Sequence, residues 1–115
     1  VSSKTPSQTN KANVIMKKEV FNQYAERIAL MFGISKEELF SKTKQRHIAD
    51  ARHLLYYMCS TRPMELIYIQ NFLGDEGYVT MHPPIIHGIK KVTQRLKDDR
   101  DYKAIVDKLK QSVTI

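Results

Sequence analysis

The stretch HPPIIHGIKKVTQRLK, residues 82–97, opens on two prolines and then repeats apolar side chains at three- and four-residue spacing. Proline holds its own backbone near helical geometry and lacks an amide hydrogen, so it suits a first helical turn and no later one. It also disfavours helical geometry in the residue before it, which predicts His82 as the N-cap and the prolines as the first helical residues. Ile85, Ile89, Val92 and Leu96 then form one stripe, the face expected to be buried. Pro84, His87, Gly88, Lys91 and Arg95 are expected on the opposite side. Residues 87–97 hold Lys90, Lys91, Arg95 and Lys97 and no acid, a local charge of +4. An amphipathic helix whose polar face carries one sign of charge points to a polyanionic partner.

Upstream, Leu66, Ile69, Phe72 and Leu73 give residues 64–73 helical spacing, and the following GDEGYVTM interrupts it with two glycines. Two consecutive helices joined by a Gly-containing segment, over about 64–97, match the outline of a helix-turn-helix. Further back, Ile48, Ala51, Leu55, Met58 and Cys59 put one apolar face on residues 45–60, and Thr61 and Pro63 mark its end. Ser35 with Glu37 and Glu38 predicts a short helix over about 35–41, because a hydroxyl caps free amides and acids suit the positive end of the helix dipole. Val20, Phe21, Tyr24, Ile28, Leu30, Met31 and Phe32 predict a helix from Val14 to Phe32, broken by Gly33. Downstream, Tyr102, Ile105, Val106 and Leu109 predict a last one over about 99–113. With no alternating strand pattern, the expected fold class is all-α, a compact bundle of five to six helices containing the helix-turn-helix.

The 115 residues suit one domain, expected over 14–115. The polar start VSSKTPSQTNKA has no apolar periodicity and is expected to be a flexible lead-in over 1–13. The sequence starts with Val1 rather than Met, which fits a processed chain or a fragment of something longer. No apolar run is long enough to span a bilayer and no signal segment follows the start, so a soluble, cytoplasmic protein with no membrane partner is expected. Of the net charge of +7, residues 41–62 carry +4: Lys42, Lys44, Arg46, Arg52 and Arg62 against Asp50.

Catalytic chemistry lacks a constellation. Cys59 is the only cysteine, which rules out an intrachain disulfide and a multi-thiolate metal cage. His47, His53, His82 and His87 do not fall at ligand spacing, Asp75 and Glu76 suit a solvated turn, and no Gly-rich phosphate loop of the Walker type is present. Tyr56, Tyr57 and Tyr68 sit at helical spacing, as core or rim residues do, though they could stack on bases. A non-enzymatic chain without cofactor or metal is expected.

The order of elements and two stretches resemble the C-terminal DNA-binding domain of the bacterial replication initiator DnaA, a Trp-repressor-like fold. HPPIIHGIKKV at 82–92 is similar to that family's signature DHTTV-x-HA-x-RKI, with His82, His87, Lys90 and Lys91 on matching positions. SKTKQRHIADAR at 41–52 is similar to its SKxRxxxIAxxR stretch through Lys42, Arg46 and Arg52. The resemblance implies binding of double-stranded DNA, with the signature helix in the major groove and basic residues of the preceding long helix and its lead-in loop on the flanking backbone and minor groove. His82 would approach base edges or a thymine methyl, His87 and Lys91 would contact phosphate, and Arg46 and Arg52 would hold the flanking strand. Lys42, Lys44, Lys90 and Arg95 complete the expected set. Replication proteins are the further partners it implies, in replication initiation or its regulation, in a bacterial cell or a phage-infected host.

The chain departs from the family where bases would be read. Met81 replaces an acid, Pro83 and Pro84 replace two threonines, Asp50 stands where an arginine is common, Gln70 replaces the usual glycine, and the turn at 74–81 is longer. A domain with little sequence preference is one expectation. The rival is an interaction module, or a viral structural or regulatory protein, that reuses the fold without reading DNA sequence.

Overall fold

Six helices make up most of the computed structural model, which describes residues 4–62 and 64–113, with side chains described from Val14 onward. They are α1 (Lys4–Phe32), α2 (Lys36–Leu39), α3 (Arg46–Ser60), α4 (Leu66–Asp75), α5 (His82–Asp98) and α6 (Arg100–Ser112). The described residues contain no strand, and the all-α class expected from the sequence holds. Among them no helix is long and apolar enough to cross a membrane.

The backbone of α1 is helical from Lys4, ten residues before the predicted start. Extending an existing helix gains one hydrogen bond per residue fixed, so polar residues can prolong a packed segment without being buried themselves. The flexible lead-in expected over 1–13 lies outside the residues whose side chains are described.

α3 forms the centre. Its Ala51, Leu54, Leu55, Met58 and Cys59 are buried, with α1 on one side through Phe21, Tyr24, Ala25 and Ile28, and α5 on another. Burial raises the Cys59 thiol well above its ordinary range, so the lone cysteine behaves as a small apolar residue. Phe21 links three elements, stacking on Phe40 at 5.9 Å and tilting against Phe72 of α4 at 5.5 Å. α6 closes the bundle with Tyr102, Val106 and Leu109.

Local signals set the ends. Ser35 Oγ accepts from the Glu38 amide at 3.0 Å and Glu38 Oε1 accepts from the Ser35 amide at 3.1 Å, a reciprocal capping box for α2. α4 ends with Gly77 at φ 86°, where the Tyr78 amide donates to the Leu73 carbonyl at 2.8 Å and the Gly77 amide to the Gly74 carbonyl at 3.0 Å. This left-handed closure favours glycine and reverses the chain toward α5.

Two expectations for α5 need correction. The N-cap is Met81 (φ −107°, ψ 177°) and His82 is already helical, so the prolines still fall in the first turn, where the amides they lack have no intrahelical acceptor. Gly88 lies inside rather than outside: the stripe against α3 is Ile85, Gly88 and Val92, with Ile89 and Leu96 half-buried on its rim. A Cβ on Gly88 would stand 2.7 Å from His53 Cδ2 and 2.8 Å from Tyr56 Cδ2. The missing side chain is what lets α5 and α3 approach so closely.

Candidate nucleic-acid interface

With Ile85, Gly88 and Val92 turned inward, helical spacing leaves two outward stripes on α5. One runs through Pro83, Ile86, Lys90, Thr93 and Lys97, the other through Pro84, His87, Lys91 and Arg95, and all of these are exposed. Acids are absent from α5 until Asp98, and among the described residues neither Lys90 nor Lys91 forms an ion pair. The positive end of the helix dipole adds to this field at the His82 end. Arg95 is partly engaged: its guanidinium lies 4.2 Å over the Tyr102 ring, with Asp99 Oδ2 3.9 Å from its Nε.

Lys44 and Arg46, at the start of α3, are exposed and free of ion pairs among the described residues. Arg46, His53, Lys91 and Arg95 line an open cleft of about 520 Å³ between α3, α5 and α6, together with Asp50, Asp98 and Tyr102. The His53 ring meets His87 edge-on at 6.2 Å between centroids. Burial first, then the nearby Lys91 charge, holds His53 below its ordinary pKa, so its ring is neutral at pH 7. The cleft is thus basic on its α5 wall, with the acids Asp50 and Asp98 set among the cations.

Three of the expected contact residues do other work. Arg52 is 6% exposed and donates to the carbonyls of Leu39 at 3.2 Å, Ser41 at 2.9 Å and Thr43 at 3.4 Å. Its guanidinium also lies 4.7 Å from the centre of the Tyr78 ring. The Lys42 ammonium donates to the Val79 carbonyl and stands 4.1 Å over the same ring. These two cations therefore fasten the loop before α3 to the turn before α5, and buried Arg52 cannot hold a phosphate. His82 is half-buried with its Nε2 enclosed and unpartnered, which withdraws it from the surface where base edges would be met.

The tyrosines do not offer open stacking platforms. Tyr56 is 2% exposed, and burial followed by its neighbour Tyr78 pushes its hydroxyl far above the ordinary range. Tyr57 and Tyr68 are half-buried, under Lys110 at 5.7 Å and Lys17 at 4.6 Å. Of the expected residues, the fold gathers Arg46, Lys91 and Arg95 around the cleft, with His87 against His53, and leaves Lys44 and Lys90 exposed. Sequence reading missed Tyr78, whose partners lie 26 and 36 positions earlier in the chain, at Arg52 and Lys42. The only local signal was an aromatic residue inside a glycine-rich turn.

Comparison with known proteins gives one consistent relationship. The chain is 27% identical over 111 residues to the chromosomal replication initiator protein DnaA of Nautilia profundicola, covering 94% of this chain and 24% of that protein. With the protein of the same name from Flavobacterium psychrophilum it shares 26% identity over 102 residues, 87% of this chain and 20% of the relative. With that from Campylobacter jejuni subsp. doylei it shares 26% over 85 residues, 73% of this chain and 18% of the relative. The chain is thus a divergent DnaA-like domain, and it spans about a fifth to a quarter of the length of these relatives. No family model and no solved structure matches it.

Proposed function

We propose that this domain binds double-stranded DNA, with α4, the turn 76–81 and α5 acting as a helix-turn-helix and α5 entering the major groove. The observation that carries this is that α5 has no acid before Asp98 and displays Lys90 and Lys91 without ion pairs among the described residues, with exposed Arg46 sharing the cleft that Lys91 lines. A major groove admits one α-helix, and phosphates on its two walls would meet cations on either side of α5. Lys90 serves one wall and His87 and Lys91 the other; Arg46 and Lys44 serve the flanking strand. The similarity to replication initiators supports a place in replication initiation or its control.

Salt dependence tests the reading. Each phosphate neutralised should steepen the fall of log affinity with log salt by about 0.9. Lys91→Ala and Arg46→Ala should each flatten that slope by about one contact and weaken binding roughly fivefold at moderate salt, equally for every duplex sequence. Fluorescence anisotropy with random duplexes measures both; no binding at low salt would end the proposal.

Asp50 provides a check of opposite sign. It is half-buried in the cleft beside cations that are meant to face phosphate. Two unit charges a few ångströms apart in water interact by about 1 kcal/mol, so Asp50→Asn should tighten binding about threefold to fivefold, irrespective of sequence. Unchanged affinity would place the cleft outside the DNA footprint.

A further inference from the structure

From Asp98 onward the chain has as many acids as bases, four of each, so as a sequence it reads as neutral. The fold sorts them. Asp98 lines the cleft that holds Arg46 and Lys91, Asp99 caps α6 by accepting from the Tyr102 amide at 3.1 Å, and exposed Asp101 lines neither hollow. Arg100, Lys103 and Lys110 gather instead along a second groove on the other flank of α5, where Lys97 joins them from the Lys90 stripe. Asp107 is the one acid on it.

This groove is open and holds about 560 Å³. Its floor is apolar: Tyr57 and Leu96 are half-buried there and Val106 is 1% exposed. The rim is cationic, because Lys97, Arg100, Lys103 and Lys110 are all exposed and none forms an ion pair among the described residues. Lys110 reaches over the Tyr57 ring at 5.7 Å, which keeps its charge at the edge of the floor. From Arg100 to Lys110 the helix covers about 15 Å, the span of about five residues of extended chain. Four like charges around an apolar trough repel one another and leave the trough wet. An acidic, partly apolar chain seated in it relieves both costs.

We infer that this groove docks a short acidic segment of another protein, whose carboxylates pair with the rim while one or two apolar side chains enter the floor. Charge complementarity sets the sign of the occupant. The floor sets its class: a phosphate backbone would pair with the rim and leave Tyr57, Leu96 and Val106 uncovered, and a lipid surface takes apolar side chains that project, whereas these are recessed. The site is also separate from the cations proposed for duplex. Tyr57 lies about 16 Å along α3 from Arg46, and the groove residues of α5 stand on the flank away from Lys91 and Arg95. The inference does not depend on the duplex-binding reading.

The test selects from a library of random dodecapeptides displayed on phage, with the whole chain as target. Selected peptides should carry several Asp or Glu around one or two large apolar residues. In fluorescence anisotropy, the double variant Lys103→Glu, Lys110→Glu should bind them about tenfold or more weakly, because reversing two rim charges turns attraction into repulsion. Both positions are exposed, and the melting temperature of the double variant should remain parental. Serine in place of the apolar residues of a selected peptide should also cost about tenfold or more, the worth of burying one Leu or Phe side chain. Lys91→Ala, in the cleft, should change peptide affinity by less than about twofold, since its charge is screened at that distance. Peptides without acidic enrichment, or equal affinity of parent and double variant, overturn the inference. A salt slope on duplex flattened by about 0.9 or more in the double variant places the groove in the nucleic-acid footprint. Vesicles of anionic phospholipid that bind the parent chain but not the double variant, with no peptide selected, make it a lipid contact. Either result refutes peptide docking.

Discussion

Replacement of Arg52 by alanine is expected to destabilise the fold by about 3 kcal/mol, with a fall of roughly 10–20 °C in melting temperature. The guanidinium is buried and supplies donors to three backbone carbonyls of the segment that joins α2 to α3. Its removal leaves those acceptors to be satisfied by water entering a closed region and strips one of the two cations from the Tyr78 ring. Arg52→Lys keeps the charge but not the planar fork, and should recover about half of the loss. The result separates two roles that the sequence pattern alone treats as one. A phosphate contact at this position would leave the melting temperature alone and flatten the salt slope by about 0.9; a structural pin moves the melting temperature and leaves the slope. Thermal unfolding followed by circular dichroism, with exposed Arg46→Ala beside it, makes the comparison. A parental melting temperature for Arg52→Ala would show that the loop stands without the pin.

The same comparison shows what was legible in the sequence. Helix identity was, because each helix repeats its apolar residues at intervals that only one periodicity satisfies. The α5 pattern from Ile85 to Leu96 and the capping signal at Ser35 both placed their helices within a residue or two of where they lie. Charge segregation was legible too, as a sum over a segment. The direction in which each charge points was not, because Arg46 and Arg52 look alike in sequence. What distinguishes them is their place on the helix. Arg52 adjoins buried Ala51 and reaches carbonyls 9 to 13 positions earlier in the chain, whereas Arg46 stands exposed at the helix start. Gly88 was misplaced for a related reason. Without a side chain it contributes nothing to an apolar stripe, so periodicity assigned it to the outer face, and only the rings of His53 and Tyr56 reveal that the helix turns it inward.

That placement carries a prediction of comparable size to the loss of Arg52. Gly88→Val should cost about 3 kcal/mol or more, since a branched side chain would be driven into two rings across a close approach between α3 and α5. Gly88→Ala is the more informative change, because two effects of similar magnitude oppose one another. Alanine gains about 1 kcal/mol over glycine within a helix, whereas overpacking a close contact costs about 1–3 kcal/mol. The His53 ring is half-buried and can shift toward the cleft, but Tyr56 is enclosed and cannot. The expected balance is therefore a net loss of about 1 kcal/mol, reduced when His53→Ala removes the nearer ring. Chemical denaturation of the two single variants and the double variant measures this coupling. Glycine at this position forgoes a helix-favouring side chain and leaves the space that the rings of His53 and Tyr56 occupy. The two helices carry Arg46 and Lys91, which line the same cleft and are both proposed to contact phosphate. A Gly88→Ala domain that stays folded should consequently bind duplexes more weakly with both cations still present. Parental stability and affinity in that variant would mean that the two helices separate at no cost and that their spacing is not what aligns the interface.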